Sequence, residues 1–202
     1  MWPKISQNYS PNFNTIKRLK KNIRFIIIHY TGMQNELSAL ERLCDIKAKV
    51  SAHYFIKKNG SILNLIPPIY EAWHAGKSKW GKFTNINDKS IGIELVNRGH
   101  KFGYQKFSRK QIGALIKLCT QLKRKYRINN RLILGHSDIA PLRKIDPGEK
   151  FPWLKLKKRK IGLWYSLTKQ NSLFKKLDKK VMRNIFFQNL YKIGYRYFLK
   201  NK

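Results

Sequence analysis

The chain has 202 residues, 42% of them hydrophobic, enough for one full core with a modest appendage. It holds no run of about 18 apolar residues, which excludes a membrane-spanning helix of ordinary kind. Its 44 Lys and Arg against 10 Asp and Glu give a formal net charge of +34, so acidic partners are attracted and basic ones excluded.

Residues 1–22, with Pro3, Pro11 and several Asn, read as an irregular arm. The opening lacks the apolar stretch of a secretory signal. The chain is therefore expected to be cytosolic, exported by another route, or to have its signal outside these residues. Ile23 to Tyr30 (IRFIIIHY) is a continuous, β-branched apolar run ending in a histidine, the pattern of a strand buried on both faces. Asn35 to Ile46 predicts a short helix on the spacing of Leu37, Leu40 and Cys44. Ala52 to Ile66 predicts a hairpin turning at Asn59-Gly60. Pro67 to Asp88 reads as loop, and Ser90 to Asn97 (SIGIELVN) as a further strand.

Ser108 and Gln111 form a capping-box pattern. It opens a helix to about Tyr126, with Ile112, Leu115, Ile116, Cys119 and Leu122 on one face. Arg131 to Gly135 predicts a last short strand, again followed by a histidine, and residues 137–153 carry Pro141, Pro147, Gly148 and Pro152, as a loop does. Strands alternating with helices around a hairpin predict an α/β fold, with a mixed central β-sheet flanked by helices. No internal repeat is present. Beyond Trp153 the composition turns basic (KLKKRK at 155–160), and apolar residues at 173, 177, 181 and 185 predict a helical C-terminal extension too short to bury much alone. The two cysteines, Cys44 and Cys119, read as small buried hydrophobes.

Three residues carry the first chemical suggestion. His29 and His136 each end a predicted strand, and Asp146 lies in the following loop (Lys144-Ile145-Asp146). Two imidazoles and one carboxylate are three protein ligands for an open zinc site. The competing reading is that each histidine is a structural hydrogen bonder. Glu94 lies among apolar neighbours in Ile91-Gly92-Ile93-Glu94. Such a carboxylate is costly unless it is paired or working, so it is either a general base of raised pKa or the solvent-facing residue of an edge strand.

The strings IIIHYTG, SAHYFI, WHAG, NDKSIGIELVN and GHSDIAPLRKIDPGEKFPW resemble the zinc amidases of the N-acetylmuramoyl-L-alanine amidase type 2 family. That family includes phage lysozyme-like amidases and peptidoglycan recognition proteins, and the likeness is strongest to its AmiD-type bacterial members. It spans roughly residues 10–160. The resemblance implies one catalytic Zn2+ held by His29, His136 and Asp146, with Glu94 as acid–base and Lys144 facing the reacting carbonyl. The substrate implied is the amide between N-acetylmuramic acid, or its anhydro form, and the L-alanine of the stem peptide, and the place of action the cell envelope or, alternatively, cytoplasmic recycling. Phage members carry a catalytic Tyr before the hairpin histidine. Here Ala52 precedes His53, so Glu94 is expected to do the proton work alone and His53 to pack or to support.

Trp73, His74, Trp80, Asn87 and Arg98 are expected to line a substrate groove. Residues 1–158 would form the catalytic domain, and residues 159–202 a basic helical segment, read as a truncated peptidoglycan-binding module or as a helix packed on the domain. A monomer is expected, with peptidoglycan or a muropeptide as partner. Two other readings compete: a binding-only module, and a nucleic-acid binder driven by charge. The filled ligand set argues against the first, and the absence of helix-turn-helix, RRM or zinc-finger patterns against the second. The high charge itself has two readings, a selected polyanion site or the Lys, Asn and Ile excess of an A+T-rich genome.

Overall fold

The structure, a computed structural model, describes residues 5–7, 9–165 and 178–197. In chain order its strands and helices are β1 (Ile5–Gln7), β2 (Phe13–Asn14), β3 (Phe25–Tyr30), α1 (Glu36–Cys44), β4 (Tyr54–Ile56), β5 (Ile62–Asn64), β6 (Glu71–Ala72), β7 (Lys79–Trp80), β8 (Phe83–Thr84), α2 (Ile86–Lys89), β9 (Ser90–Leu95), α3 (Arg109–Tyr126), β10 (Ile133–Gly135), α4 (His136–Ile139), α5 (Trp153–Lys157) and α6 (Lys179–Ile193). Six strands form one mixed sheet in the order β1-β5-β4-β9-β3-β10. Only the β4–β5 hairpin is antiparallel; the other neighbours run parallel.

Alternation along the central strands sorts their side chains onto two faces. Ile26 and Ile28 of β3 join Ile91, Ile93 and Leu95 of β9 in packing against Ile112, Leu115, Leu118, Cys119 and Leu122 of α3. The α3 start is the capping box expected, with Ser108 accepting from Gln111 N–H and Gln111 bonded back to Ser108. The opposite face of β3 carries Phe25, Ile27 and His29, which stand beside Ser90, Gly92 and Glu94 of β9. Phe25 and Ile27 pack there with Ala75, Trp80, Ile86, Leu134 and Ile139.

Two expectations need correction. Over its described residues the N-terminal arm is not wholly irregular: β1 adds a strand to the sheet beside β5, and Ser10 and Asn12 are buried. Asn12 donates through Nδ2 to the Asp45 and Val50 carbonyls at 2.8 and 2.9 Å. Polar side chains share this docking with Ile5 and Phe13, which pack on the apolar clusters, so hydrophobic patterning alone does not reveal it. In α1, Ala39 and Leu43 form the buried face against Phe55 and Leu63, while Leu37 faces solvent and Cys44 is only half-buried. Beyond residue 158, Ile161 packs in the α3 core. Farther on, α6 buries no residue, yet the chain after it touches the domain: Gly81 N–H donates to the Gly194 carbonyl at 2.8 Å, and Tyr195 meets Trp80 edge-on at 4.9 Å. The expected apolar positions 173 and 177 lie outside the described residues.

Arg18 clasps the loop segments behind the sheet. Its Nε donates to the Pro68 carbonyl, Nη1 to Asn87 and Asp88, and Nη2 to Pro68 and Ser90, all at 2.7–3.0 Å. Burial draws its pKa down to about 10, opposed by nearby Asp88. Beside it, His53 Nδ1 accepts from Gly92 N–H and Nε2 bonds the Tyr70 carbonyl, both at 3.0 Å. The ring is therefore the neutral Nε2–H tautomer, and it ties β9 to the loop.

Arg18→Leu leaves four backbone carbonyls without their donor, and urea titration is expected to show a loss of about 3 kcal/mol or more. Burial and then the Arg18 charge push the His53 pKa from 6.5 down to about 3. The unfolded chain thus binds the extra proton between those values, so this contribution is complete above pH 6.5 and is lost as pH falls toward 3. Unfolding free energies measured across that window should fall with acidification, and less steeply in His53→Gln.

Candidate metal and active site

The parallel pairing of β10 with β3 brings two histidines to the same end of the sheet. His29 is the penultimate residue of β3, and His136 is the first residue after β10. The chain then runs through α4, turns at Ala140–Lys144, and returns Asp146 to the same point, where its carbonyl accepts from Ser137 N–H at 2.9 Å. The result is a triangle. His29 Nδ1 and His136 Nδ1 are 3.0 Å apart, and each lies 3.1 Å from Asp146 Oδ2. All three residues are buried, and among the described residues they form the one His/Cys/Asp/Glu group able to share a metal ion.

The donor set suits a cation. His136 Nε2 bonds the Ala75 carbonyl at 3.0 Å, and a carbonyl only accepts. The Nε2 therefore carries a proton, and in the neutral ring Nδ1 presents a lone pair to a carboxylate oxygen and to another imidazole nitrogen. Lone pairs at this separation repel unless a positive charge lies between them. Tetrahedral coordination at ~2.0–2.1 Å places donors ~3.3 Å apart, close to the triangle observed. The electrostatics agree: burial, with the neighbouring His136, pulls His29 down to about 4. For Asp146, burial acts upward, but the bonds to His136 and His29 outweigh it and hold the carboxyl below its ordinary range.

A cavity of about 590 Å³ opens over the triangle, lined among others by Tyr30, Trp73, Glu94, Lys101 and Lys144. Glu94 stands beside His29 across the β3–β9 register. Its Oε2 is buried without a hydrogen-bond partner. Burial, with Asp146 nearby, raises its pKa to about 8, and Lys144 opposes the shift. The edge-strand reading of Glu94 is overturned, because β9 is central, between β4 and β3.

The five residues expected along a substrate groove divide. Trp73 lines the cavity and donates from Nε1 to Asn14 Oδ1 at 3.1 Å. His74 also borders it, but both its ring nitrogens are engaged, Nδ1 with His29 Nε2 and Nε2 with Ser90 Oγ, each at 3.0 Å. Trp80 does not line the cavity; it is buried in the apolar cluster with Phe25 and Ile86. Asn87 faces the backbone of the His74 loop instead, and its Oδ1 accepts from His74 and Ala75 N–H. Arg98 donates to the Gln34 carbonyl at 3.1 Å and borders a smaller neighbouring depression.

Sequence reading missed Arg42, Lys101 and Arg143 at the cavity, since three more cations in so basic a chain carry no signal. It also missed Ala75, whose contribution is a backbone carbonyl. Gly92 was legible in principle as a glycine in the middle of an apolar strand.

The sequence profile described as N-acetylmuramoyl-L-alanine amidase matches residues 19–149. Over 154 residues the chain is 41% identical to the N-acetylmuramoyl-L-alanine amidase AmiD of Escherichia coli K12, covering 70% of this chain and 55% of the relative. It is 40% identical over 106 residues to the 1,6-anhydro-N-acetylmuramyl-L-alanine amidase AmpD of Haemophilus influenzae, covering 52% and 55%. The chain thus spans about half the length of these curated relatives. The crystal structure of AmpDh3 from Pseudomonas aeruginosa in complex with anhydromuramic pentapeptide superposes with a TM-score of 0.79 at 30% identity, covering 95% of this chain and 82% of that one. On this match, the chain belongs to the N-acetylmuramoyl-L-alanine amidase family.

Proposed function

We propose that the protein hydrolyses the amide between N-acetylmuramic acid, or its anhydro form, and the L-alanine of a peptidoglycan stem peptide, using one zinc ion. The observation that carries this reading is the triangle of His29 Nδ1, His136 Nδ1 and Asp146 Oδ2 at the floor of the cavity. These three residues would hold the zinc. When bound, zinc supplies Lewis acidity, which makes water a better nucleophile near neutral pH and polarises a carbonyl. The relatives' names, and the anhydromuramic pentapeptide bound by AmpDh3, support the substrate class.

The chain's own residues supply the proton and charge handling. Glu94 is the general base: its partnerless Oε2 is placed to take a proton from the attacking water and return it to the departing amine of L-alanine. The products balance as a lactyl carboxylate and a free amine. Burial moves the Glu94 pKa from the ordinary carboxyl range to about 8, near enough to neutrality for one group both to take up a proton and to give it back. The Lys144 ammonium offsets the negative charge that grows on the former carbonyl oxygen. Trp73 offers an aromatic wall for a sugar face. The basic side chains Arg42, Lys101 and Arg143 at the cavity suit a stem peptide carrying free carboxylates. No helix among the described residues is long and apolar enough to cross a membrane. Such a substrate places the protein in the envelope or in the recycling of its fragments.

Mass spectrometry of purified muropeptides after incubation should show free stem peptide, and none after treatment with a chelator; intact muropeptide in both samples would refute the activity. Glu94→Gln is expected to keep zinc and lose turnover by ~10²–10⁴-fold. Lys144→Ala should fall by a similar factor with metal content unchanged, and a wild-type rate would remove Lys144 from the reaction. His29→Ala should lose its zinc on dialysis, which elemental analysis reads directly.

A further inference from the structure

The outer nitrogens of both triangle imidazoles are held by one short loop. His136 Nε2 bonds the Ala75 carbonyl and His29 Nε2 meets His74 Nδ1, both at 3.0 Å. His74 and Ala75 are consecutive, and their backbone N–H groups converge on a single acceptor, Asn87 Oδ1, at 3.1 and 2.7 Å. The His74 ring lies directly on Gly92, where a Cβ would stand 2.4 Å from His74 Cγ. Arg143 Nη2 donates to the same Ala75 carbonyl and, at 2.8 Å, to that of Lys77.

We propose that the His74–Ala75 pair, pinned by Asn87 and seated on Gly92, is a bracket that sets the tautomer and orientation of both metal-binding imidazoles, so that Asn87 and His74 are positioning residues of the metal centre rather than substrate contacts. The proposal rests on the reading that His29, His136 and Asp146 hold zinc. An imidazole that coordinates through Nδ1 carries its proton on Nε2, and that proton needs an acceptor in a buried site. For His136 the acceptor is the Ala75 carbonyl. For His29 it is His74 Nδ1, which can accept only when His74 carries its own proton on Nε2, facing Ser90 Oγ at 3.0 Å. The direction of every hydrogen bond from Ser90 to the triangle then follows. Asn87 touches neither imidazole, yet it fixes the loop that touches both. Gly92 is the one residue type that leaves room for the His74 ring.

The test compares the full chain with Asn87→Leu, Asn87→Asp and His74→Phe. Zinc dissociation constants come from competition with a chromophoric chelator, and thermal midpoints are taken on the metal-free proteins. His74→Phe keeps a ring on Gly92 but offers no acceptor, and Asn87→Leu releases both N–H groups. Each is expected to weaken zinc binding on the order of 10–100-fold. Asn87→Asp retains an acceptor oxygen of the same reach and should bind within a few-fold of wild type. Wild-type zinc affinity in both His74→Phe and Asn87→Leu would overturn the bracket, even if their metal-free midpoints fall, because that pattern is a purely structural role. Should Asn87→Leu fail to fold, His74→Phe decides by the same criterion. A wild-type chain that binds no zinc would instead sink the proposed function, and the bracket with it.

Discussion

Three electron-pair donors aimed at one another at buried positions make an arrangement that a protein does not hold without cause. His29 Nδ1, His136 Nδ1 and Asp146 Oδ2 lie within hydrogen-bond distance of each other, yet the proton on His136 is committed to the far side of its ring. The triangle is thus short of positive charge, and buried groups feel such a shortage more strongly than groups in water. Much of the surrounding structure can be understood as what is needed to keep these three atoms together.

The sheet does the first part of that work. Parallel neighbours end at the same edge, so β3 and β10 deliver their histidines side by side. The parity of β3 and β9 puts His29, Gly92 and Glu94 on the face opposite α3. Each strand therefore serves two faces: Ile26, Ile28, Ile91, Ile93 and Leu95 close the core against α3, while His29, Gly92 and Glu94 stand on the face of the site. A single-residue slip in register would exchange the two sets.

The loops do the second part, mostly through backbone carbonyls. Arg18 gathers carbonyls from residues 68, 87, 88 and 90, and Arg143 gathers those of Ala75 and Lys77. A guanidinium has five donors in a fixed plane and remains charged even when burial lowers its pKa. It can therefore hold loop backbone that no strand pairs. In a chain of net charge +34, Arg18 is part of the scaffold, while Arg143 holds backbone and also lines, with Lys101 and Lys144, the cavity.

Much of this was legible in the residues alone. The β-branched run ending in His29, the Asn59-Gly60 hairpin and the Ser108–Gln111 cap each state a local preference, and the structure follows them because burial and capping act over a few residues. The triad of His29, His136 and Asp146 was named from strand ends and family likeness, and the three side chains do converge. What the sequence could not state is where long-range polar contacts fall. Trp80 packs inward, Asn87 holds a loop and Arg98 borders a different depression, because a tryptophan, an asparagine or an arginine has the same local pattern whether it faces substrate or backbone. The docking of the N-terminal arm through Asn12 and Arg18, and the seat that Gly92 provides for His74, exist only once distant segments meet. Tertiary structure alone decided them, since a hydrogen bond to a carbonyl far along the chain leaves no periodicity behind.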